Sequence, residues 1–125
     1  MGNIFESRIT YDREEILNNI KYLGFEKHFL QEMGEPIILE DNQTWILFYL
    51  SDKMVSFITY NHKKILYVYT LKEHRNKGLF DLMYKELPLN NWETIASNMS
   101  YPLFLKKGFK VVKNYKNCHK LKLTI

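Results

Sequence analysis

A short basic turn that opens a helix carries the clearest chemistry in this sequence. The stretch Leu66–Leu87, LYVYTLKEHRNKGLFDLMYKEL, predicts a strand, then the turn Arg75-Asn76-Lys77-Gly78, then a helix. The first amides of a helix have no partner within the helix, and the helix dipole favours an anion beside them. Gly78 allows close approach of a phosphate, and Arg75 and Lys77 supply positive charge. The turn is therefore either an anion-binding loop or only a tight connection.

The charge of the chain is unevenly divided. The net charge is +4, but residues 1–62 hold five Lys/Arg against ten Asp/Glu, and residues 63–125 hold thirteen against four. The basic half contains the turn, so an anionic ligand or a nucleic acid would be drawn to it. The alternative is a solvated lysine-rich surface.

Composition excludes several classes of protein. The chain has 125 residues, of which 46% are hydrophobic, which fits one domain with a packed core. No apolar run is long enough for a membrane span and no secretory signal opens the chain, so we expect a cytoplasmic protein without a membrane partner. Its single cysteine, Cys118, excludes an internal disulfide, and the four histidines lack ligand spacing, so no metal site is predicted.

Periodicity and turn residues predict the elements before the basic turn. Asp12 and Glu15 have the spacing of a capping box, which predicts a helix that Gly24 ends. An apolar stripe from Phe25 to Met33 predicts a second helix. Strands with hairpin-sized gaps, which favour an antiparallel meander, are predicted at Ile37–Glu40, Trp45–Leu50, Met54–Tyr60 and Ile65–Leu71.

The elements after the turn complete a mixed sheet. The helix after Gly78 ends before Pro88. Further elements are predicted as a strand at Trp92–Ala96, a short helix at Tyr101–Lys107 and strands at Val111–Tyr115 and His119–Ile125. A strand–helix–strand unit over residues 65–96 would pair its strands in parallel. The fold class is α/β (α+β), a mixed and mostly antiparallel sheet flanked by helices.

The order of these elements and two motifs resemble the GNAT family of N-acetyltransferases. The motifs are Arg75-Asn76-Lys77-Gly78-Leu79-Phe80 and Leu103-Phe104-Leu105-Lys106-Lys107-Gly108-Phe109, and the resemblance covers about residues 45–115. In that family a Gln/Arg-x-x-Gly-x-Gly/Ala loop binds the pyrophosphate of acetyl-coenzyme A, and the preceding strand pairs with the pantetheine arm. The resemblance implies a single GNAT-like domain over 1–125, with 1–36 on the substrate side and 37–125 as the sheet and cofactor-binding core.

The resemblance also implies the residues of the site. Phe80 stands where the family has Gly or Ala, and Phe104 stands where it often has the tyrosine that protonates the leaving thiolate. The thiolate would then take its proton from water, or Tyr101 or Tyr69 would replace that acid, and Glu93 is the nearest candidate base, ahead of Glu40 and His74. Cys118 lies far along the chain, which argues against a covalent acyl-enzyme. The implied cofactor-binding residues are Val68, Tyr69, Thr70, Arg75, Asn76, Lys77, Gly78, Leu79, Phe80, Asp81, Asn98 and Phe104.

The function implied is an acetyl-coenzyme A-dependent N-acetyltransferase in which a primary amine, on a small molecule or a protein, attacks the thioester directly. Two alternatives stay open. Phosphate-binding lysines in the basic C-terminal half would suit an enzyme directed to nucleic acid, acting on a DNA base or on aminoacyl-tRNA. Phe80 and Phe104 would suit a catalytically degenerate protein that binds coenzyme A or only a partner. A homodimer is compatible with each.

Overall fold

The computed structural model describes residues 6–10, 12–22, 27, 30, 31, 37, 40–88 and 90–124. Its strands are β1 (Glu6–Thr10), β2 (Thr44–Leu50), β3 (Lys53–Asn61), β4 (Lys64–Thr70), β5 (Glu93–Ser97), β6 (Lys110–Asn114) and β7 (Cys118–Lys122). Its described helices include α1 (Arg13–Tyr22), α2 (Leu79–Lys85), α3 (Tyr101–Leu105) and a 3-10 turn at Lys72–His74. Among these described helices, none combines the length and hydrophobicity of a membrane span.

The seven strands form one mixed sheet in the order β1-β2-β3-β4-β5-β7-β6. The antiparallel pairing predicted among the strands at Trp45–Leu50, Met54–Tyr60 and Ile65–Leu71 is confirmed, and β4 pairs with β5 in parallel, as predicted. Ser51 and Asp52 both have positive φ (52° and 65°), the conformation that suits a two-residue turn between twisted strands. A strand predicted at Ile37–Glu40 is not seen at its two described residues, Ile37 and Glu40.

Each face of the sheet carries its own hydrophobic cluster. Ile16 of α1 packs with Trp45, Phe57 and Tyr69 on one face. The helices α2 and α3 pack on the other face, which contains Leu79, Met83, Phe104, Ile58, Ala96 and Leu121. Because neighbouring residues of a strand point to opposite faces, the sequence of β3 supplies both clusters through Phe57 and Ile58. The site lies where helices and sheet meet on the α2–α3 side.

The N-terminal region matches its prediction in part. The Asp12 carboxylate accepts hydrogen bonds from the backbone N–H groups of Glu14 and Glu15 (3.0 and 3.4 Å), so Asp12 caps α1. The Glu15 side chain accepts from Thr10 and pairs with Arg8 (3.0 Å from Nε). Only one half of the predicted reciprocal box is therefore formed. Most of the second predicted helix, and Gly24, lie outside the described residues, although residues 27, 30 and 31 are helical.

The later elements exist as predicted with boundaries shifted by one to three residues. One feature of these later elements could not be predicted from the sequence. The register of β6 against β7 slips between Val111 and Lys113, which makes a bulge at Val112. A bulge interrupts the ordinary alternation of side chains between the two faces of a sheet. The lysines of β6 therefore do not point to the faces that simple alternation would predict.

Candidate functional site

The parallel pairing of β4 and β5 stops almost where it starts. Lys64 pairs with Glu93 and Ile65 with Thr94, and within the described residues the pairing goes no further. From there to Thr70, β4 pairs with β3 alone among the described strands. The two strands therefore diverge, and a split opens in the middle of the sheet towards the C-terminal ends of both strands. The turn that follows β4 lies at the open end of this split.

That turn has the backbone geometry from which anion-binding loops are built. Asn76 and Gly78 both have a left-handed conformation, with φ of 63° and 78°. Left-handed residues in a turn direct neighbouring N–H groups into a shared concavity. A Cβ placed on Gly78 would meet no heavy atom within 4 Å, so the space beside this backbone is open. The turn leads directly into α2, of which Gly78 is the N-cap.

Arg75 holds this turn against the end of β4. Its Nε donates a hydrogen bond to the backbone carbonyl of Thr70 (2.9 Å), and its guanidinium carbon lies 5.4 Å from the centre of the Tyr69 ring. Its Nη1 also lies 3.7 Å from the sulfur of Met99. The positive charge of Arg75 is thus fixed between the strand end and the segment that precedes α3.

A cleft of about 510 Å³ joins the turn to the end of β4. Its second wall comes from α3 and the residues on either side of this helix. Met99, Ser100 and Leu103 line the cleft there, and Lys106 adds a positive charge. Nine of the twelve predicted cofactor residues line this cleft: Val68, Tyr69, Thr70, Arg75, Asn76, Gly78, Leu79, Phe80 and Asp81. The structure therefore brings together most of the set that the sequence implied.

A second cavity, of about 280 Å³, lies inside the split itself. It shares Val68 and Ser100 with the cleft, so the two spaces adjoin. The hydroxyls of Ser97 and Ser100 lie 3.0 Å apart. Both serines line this cavity, together with Tyr67 and Cys118.

Distance along the chain was the wrong criterion for Cys118. Ser97 and Cys118 are directly opposite in the pairing of β5 with β7, which brings the thiol to the cavity in the split. The sequence alone makes Cys118 look remote from the site and indicates no role for Ser97. The pairing of the last strand with β5 would have placed both Ser97 and Cys118 at the cavity, but this pairing is known only from the fold.

The two phenylalanines that depart from the family pattern are part of the core. Phe104 is 1% exposed, and its ring lies edge-on to Phe80 and Phe109 with centroids 5.2 and 5.1 Å apart. Phe80 also stacks on Tyr84 (5.9 Å). The side chain of Phe80 is thus accommodated by turning inward, and Phe104 lines the inner cavity without offering a proton.

An ion pair crosses the outer end of the cleft. The Lys107 ammonium lies 2.7 Å from the Asp81 carboxylate, which joins the first turn of α2 to the residues after α3. The hydrogen bond and positive charge of Lys107 lower the pKa of Asp81. Lys107 also lies 5.4 Å from the centre of the Tyr84 ring, and burial raises the pKa of Tyr84. The negative charge of Asp81 is therefore partly offset where an anion would approach.

The predicted acid and base candidates are scattered, and their catalytic roles stay predictions. Glu93 lies at the closed end of the β4–β5 pair, where its carboxylate is 3.4 Å from the Lys122 ammonium. Tyr101 packs against the His119 ring (4.0 Å between centroids) and does not itself line either space. Tyr69 is 3% exposed in the cluster beneath α1. The structure does not bring these three side chains together.

Two predicted cofactor residues, Asn98 and Lys77, line neither the cleft nor the inner cavity, whereas His74 lines the cleft. Asn98 is exposed, and its side-chain oxygen lies 2.7 Å from Nε2 of His119, which ties the start of α3 to β7. Lys77 is exposed beside the cleft. His74, a weaker candidate base, does line the cleft, and its buried Nδ1 has no hydrogen-bond partner among the described residues.

A larger cavity, of about 680 Å³, lies elsewhere between β1 and α1 and has the opposite charge. Among the described residues, one cation, Arg8, and five carboxylates line it: Glu6, Asp12, Glu14, Glu15 and Asp52. An anionic ligand would be repelled there. Charge therefore selects the smaller cleft at the basic turn as the anion site.

Comparison with known proteins rests on structure alone, since no family model and no curated protein matches the sequence. A GNAT-family acetyltransferase from Streptococcus pneumoniae aligns over 96% of this chain and 99% of its own, with a TM-score of 0.69 and 15% identity. The chain has the GNAT fold. The PaiA N-acetyltransferase from Thermoplasma acidophilum, solved with coenzyme A, aligns over 96% and 99% (TM-score 0.68, 12% identity). The Campylobacter jejuni N-acetyltransferase PseH, solved with acetyl-coenzyme A, aligns over 97% and 99% (TM-score 0.56, 15% identity).

Proposed function

We propose that this chain binds an acyl-coenzyme A, with acetyl-coenzyme A as the first candidate, and transfers the acyl group to a primary amine. The observation that carries the proposal is the split between β4 and β5, which adjoins a basic, glycine-containing turn. Solved GNAT-fold proteins with coenzyme A or acetyl-coenzyme A support the choice of ligand.

The residues of the cleft suit the two chemically different parts of coenzyme A. The diphosphate would be held at the turn, where Asn76 and Gly78 shape the backbone and Arg75 and Lys106 provide positive charge. The pantetheine arm carries amides and is narrow. Backbone groups at the diverging edge of β4 would pair with those amides as they would with an added strand.

The inner cavity would hold the thioester end and the attacking amine. In the transfer, the amine nitrogen bonds to the acyl carbon, the carbon–sulfur bond breaks, the amine releases a proton and the sulfur gains one. Orientation of the two reactants within the split supplies much of the acceleration. Because Phe104 has no proton to give, the sulfur would take its proton from water or from a hydroxyl in the cavity, such as those of Tyr67, Ser97 and Ser100.

Calorimetry with acetyl-coenzyme A tests the binding half of the proposal. We expect saturable binding that is lost in Gly78→Val, because the added side chain would occupy the open space beside the turn. Gly108→Val is the matched control, since Gly108 also has positive φ (95°) and does not line the cleft. No binding by the wild-type protein at high micromolar acetyl-coenzyme A would contradict the proposal.

Release of free coenzyme A thiol in the presence of a panel of amines tests the transfer half. We expect release that depends on both acetyl-coenzyme A and an amine. Tight binding without thiol release for any amine, including amines on nucleic acids, would instead favour the degenerate, coenzyme A-binding alternative.

A further inference from the structure

At β5, β7 and β6, none of the described helices covers the face of the sheet opposite to α2 and α3. In this region Ala96 and Leu121 point towards α2 and α3, since both belong to the hydrophobic cluster on that side. Their strand neighbours point to the opposite face, where Ile95 lies beside Lys120 and is 60% exposed. No described helix packs over Ile95. Its exposed aliphatic side chain therefore lies on a surface that a partner could contact.

Lysines dominate this face because of the register. Lys120 and Lys122 of β7 point to it by ordinary alternation. The bulge at Val112 brings Lys110 and Lys113 of β6 to the same face, opposite Lys122 and Lys120, although they are three residues apart. Lys64, the neighbour of Glu93, lies at the start of β4. We call the following set the lysine face: Lys64, Lys110, Lys113, Lys120 and Lys122.

The lysine face has an unbalanced charge. Its one acidic neighbour in the paired strands is Glu93, whose carboxylate lies 3.4 Å from Lys122. Lys110 is paired directly with Lys122, and Lys113 with Lys120. Like charges directly opposite each other across two strands destabilise a sheet. A polyanion laid across the strands would relieve both repulsions, so the surface is complementary to a line of negative charge.

The same face leads to the split in the sheet. Ser97 and Cys118 follow Ile95 and Lys120 on it by register, and both line the cavity between β4 and β5. Tyr67, which packs with the cluster on the α1 side, lines that cavity from β4. A molecule held on the lysine face would therefore reach the inner cavity from the side opposite to α2 and α3.

We propose that the lysine face binds the phosphate backbone of a nucleic acid, which carries the acceptor amine. The second half of this inference rests on the proposed function, whereas the first half does not. Lysines bind phosphates as point charges without fixed geometry, which suits contact with a backbone independent of sequence. Ordinary alternation places Ile95 on this face, and Val112 is also exposed, at the bulge; two aliphatic side chains are too little to anchor the chain on a lipid surface.

Fluorescence anisotropy with a labelled RNA single strand and a labelled DNA duplex tests the binding. We expect a dissociation constant near 10⁻⁵ M at low salt and, for four or five phosphate contacts on the duplex, a slope of log K against log salt of about −4. Lys113→Glu with Lys120→Glu should weaken binding at least tenfold and reduce the slope by about 2. Lys53→Glu with Lys85→Glu makes the same change of net charge on exposed residues elsewhere.

Three results would overturn the inference. The first is no salt-sensitive binding to either nucleic acid, and the second is equal weakening by both double variants. The third is binding of polyglutamate as tight as that of nucleic acid, which would make the occupant an acidic polypeptide. Calorimetry with acetyl-coenzyme A on the same proteins separates the two proposals. Absence of nucleic acid binding by the wild-type protein, with its acetyl-coenzyme A binding intact, overturns this inference alone.

Discussion

The Nε of Arg75 donates a hydrogen bond to the carbonyl oxygen of Thr70, five positions earlier at the end of β4, at 2.9 Å. This contact closes the connection into a fixed loop, while the guanidinium lies over Tyr69. Arg75 therefore acts twice, as a structural tie for the loop and as a charge beside the cleft. A lysine in its place would keep the charge without the planar fork that makes these contacts.

Substitution of Arg75 should separate these two contributions. We expect Arg75→Lys to weaken binding of acetyl-coenzyme A about tenfold, because the charge remains while the loop loses its tie to Thr70. Arg75→Glu should abolish binding, since it reverses the charge beside the phosphates. Calorimetry measures both affinities, and circular dichroism checks that the fold is retained. Unchanged affinity in both variants would show that the ligand does not bind at this turn.

The two glycines with positive φ provide a matched pair of variants. Alanine at Gly78 (φ 78°) or Gly108 (φ 95°) should lower the free energy of unfolding by about 1–2 kcal/mol, the cost of a left-handed alanine. Only Gly78→Ala should also weaken binding of acetyl-coenzyme A, because Gly108 lies outside the cleft, against Leu123. Denaturant titration and calorimetry measure the two effects. If both variants lost binding equally, the loss would come from lower stability alone and not from a contact at Gly78.

Local patterns predicted the turn, the meander and the parallel crossover because each depends on neighbouring residues. The family resemblance that this turn supports implied nine of the residues that line the cleft. Pairing between distant strands left no such signal. The opposition of Ser97 and Cys118, the position of Glu93 at the closed end and the bulge at Val112 all follow from register, which packing of the whole sheet decides.

The ion pair between Asp81 and Lys107 should make stability depend on acid pH. The pKa of Asp81 is lowered in the folded protein from an ordinary value of 3.8. The folded state therefore binds fewer protons, and the stabilisation is present above about pH 4 and lost as the pH falls through the lowered pKa. Asp81→Asn should abolish this contribution. Unfolding curves of both proteins should differ at pH 6 and converge near pH 2.

The same substitution should strengthen binding of the cofactor. Asp81 lines the cleft and its carboxylate is exposed, so it repels an approaching phosphate even though Lys107 offsets part of its charge. We expect Asp81→Asn to raise the affinity for acetyl-coenzyme A a few-fold at low salt, with the gain shrinking at 0.5 M salt as charges are screened. Asp52→Asn, at the acidic cavity, is the control and should leave affinity unchanged.

Substitution of Glu93 decides between the role implied by the family resemblance and the role that its contacts suggest. A general base that is lost typically costs 10²–10⁴-fold in rate. Glu93 is instead paired with Lys122 at the closed end, about 13 Å along β5 from Ser97 at 3.3 Å per residue. We therefore expect Glu93→Gln to keep the rate of thiol release within a few-fold and to tighten nucleic acid binding by freeing Lys122. A hundredfold loss in the rate of thiol release with unchanged acetyl-coenzyme A affinity would show that Glu93 acts as the general base.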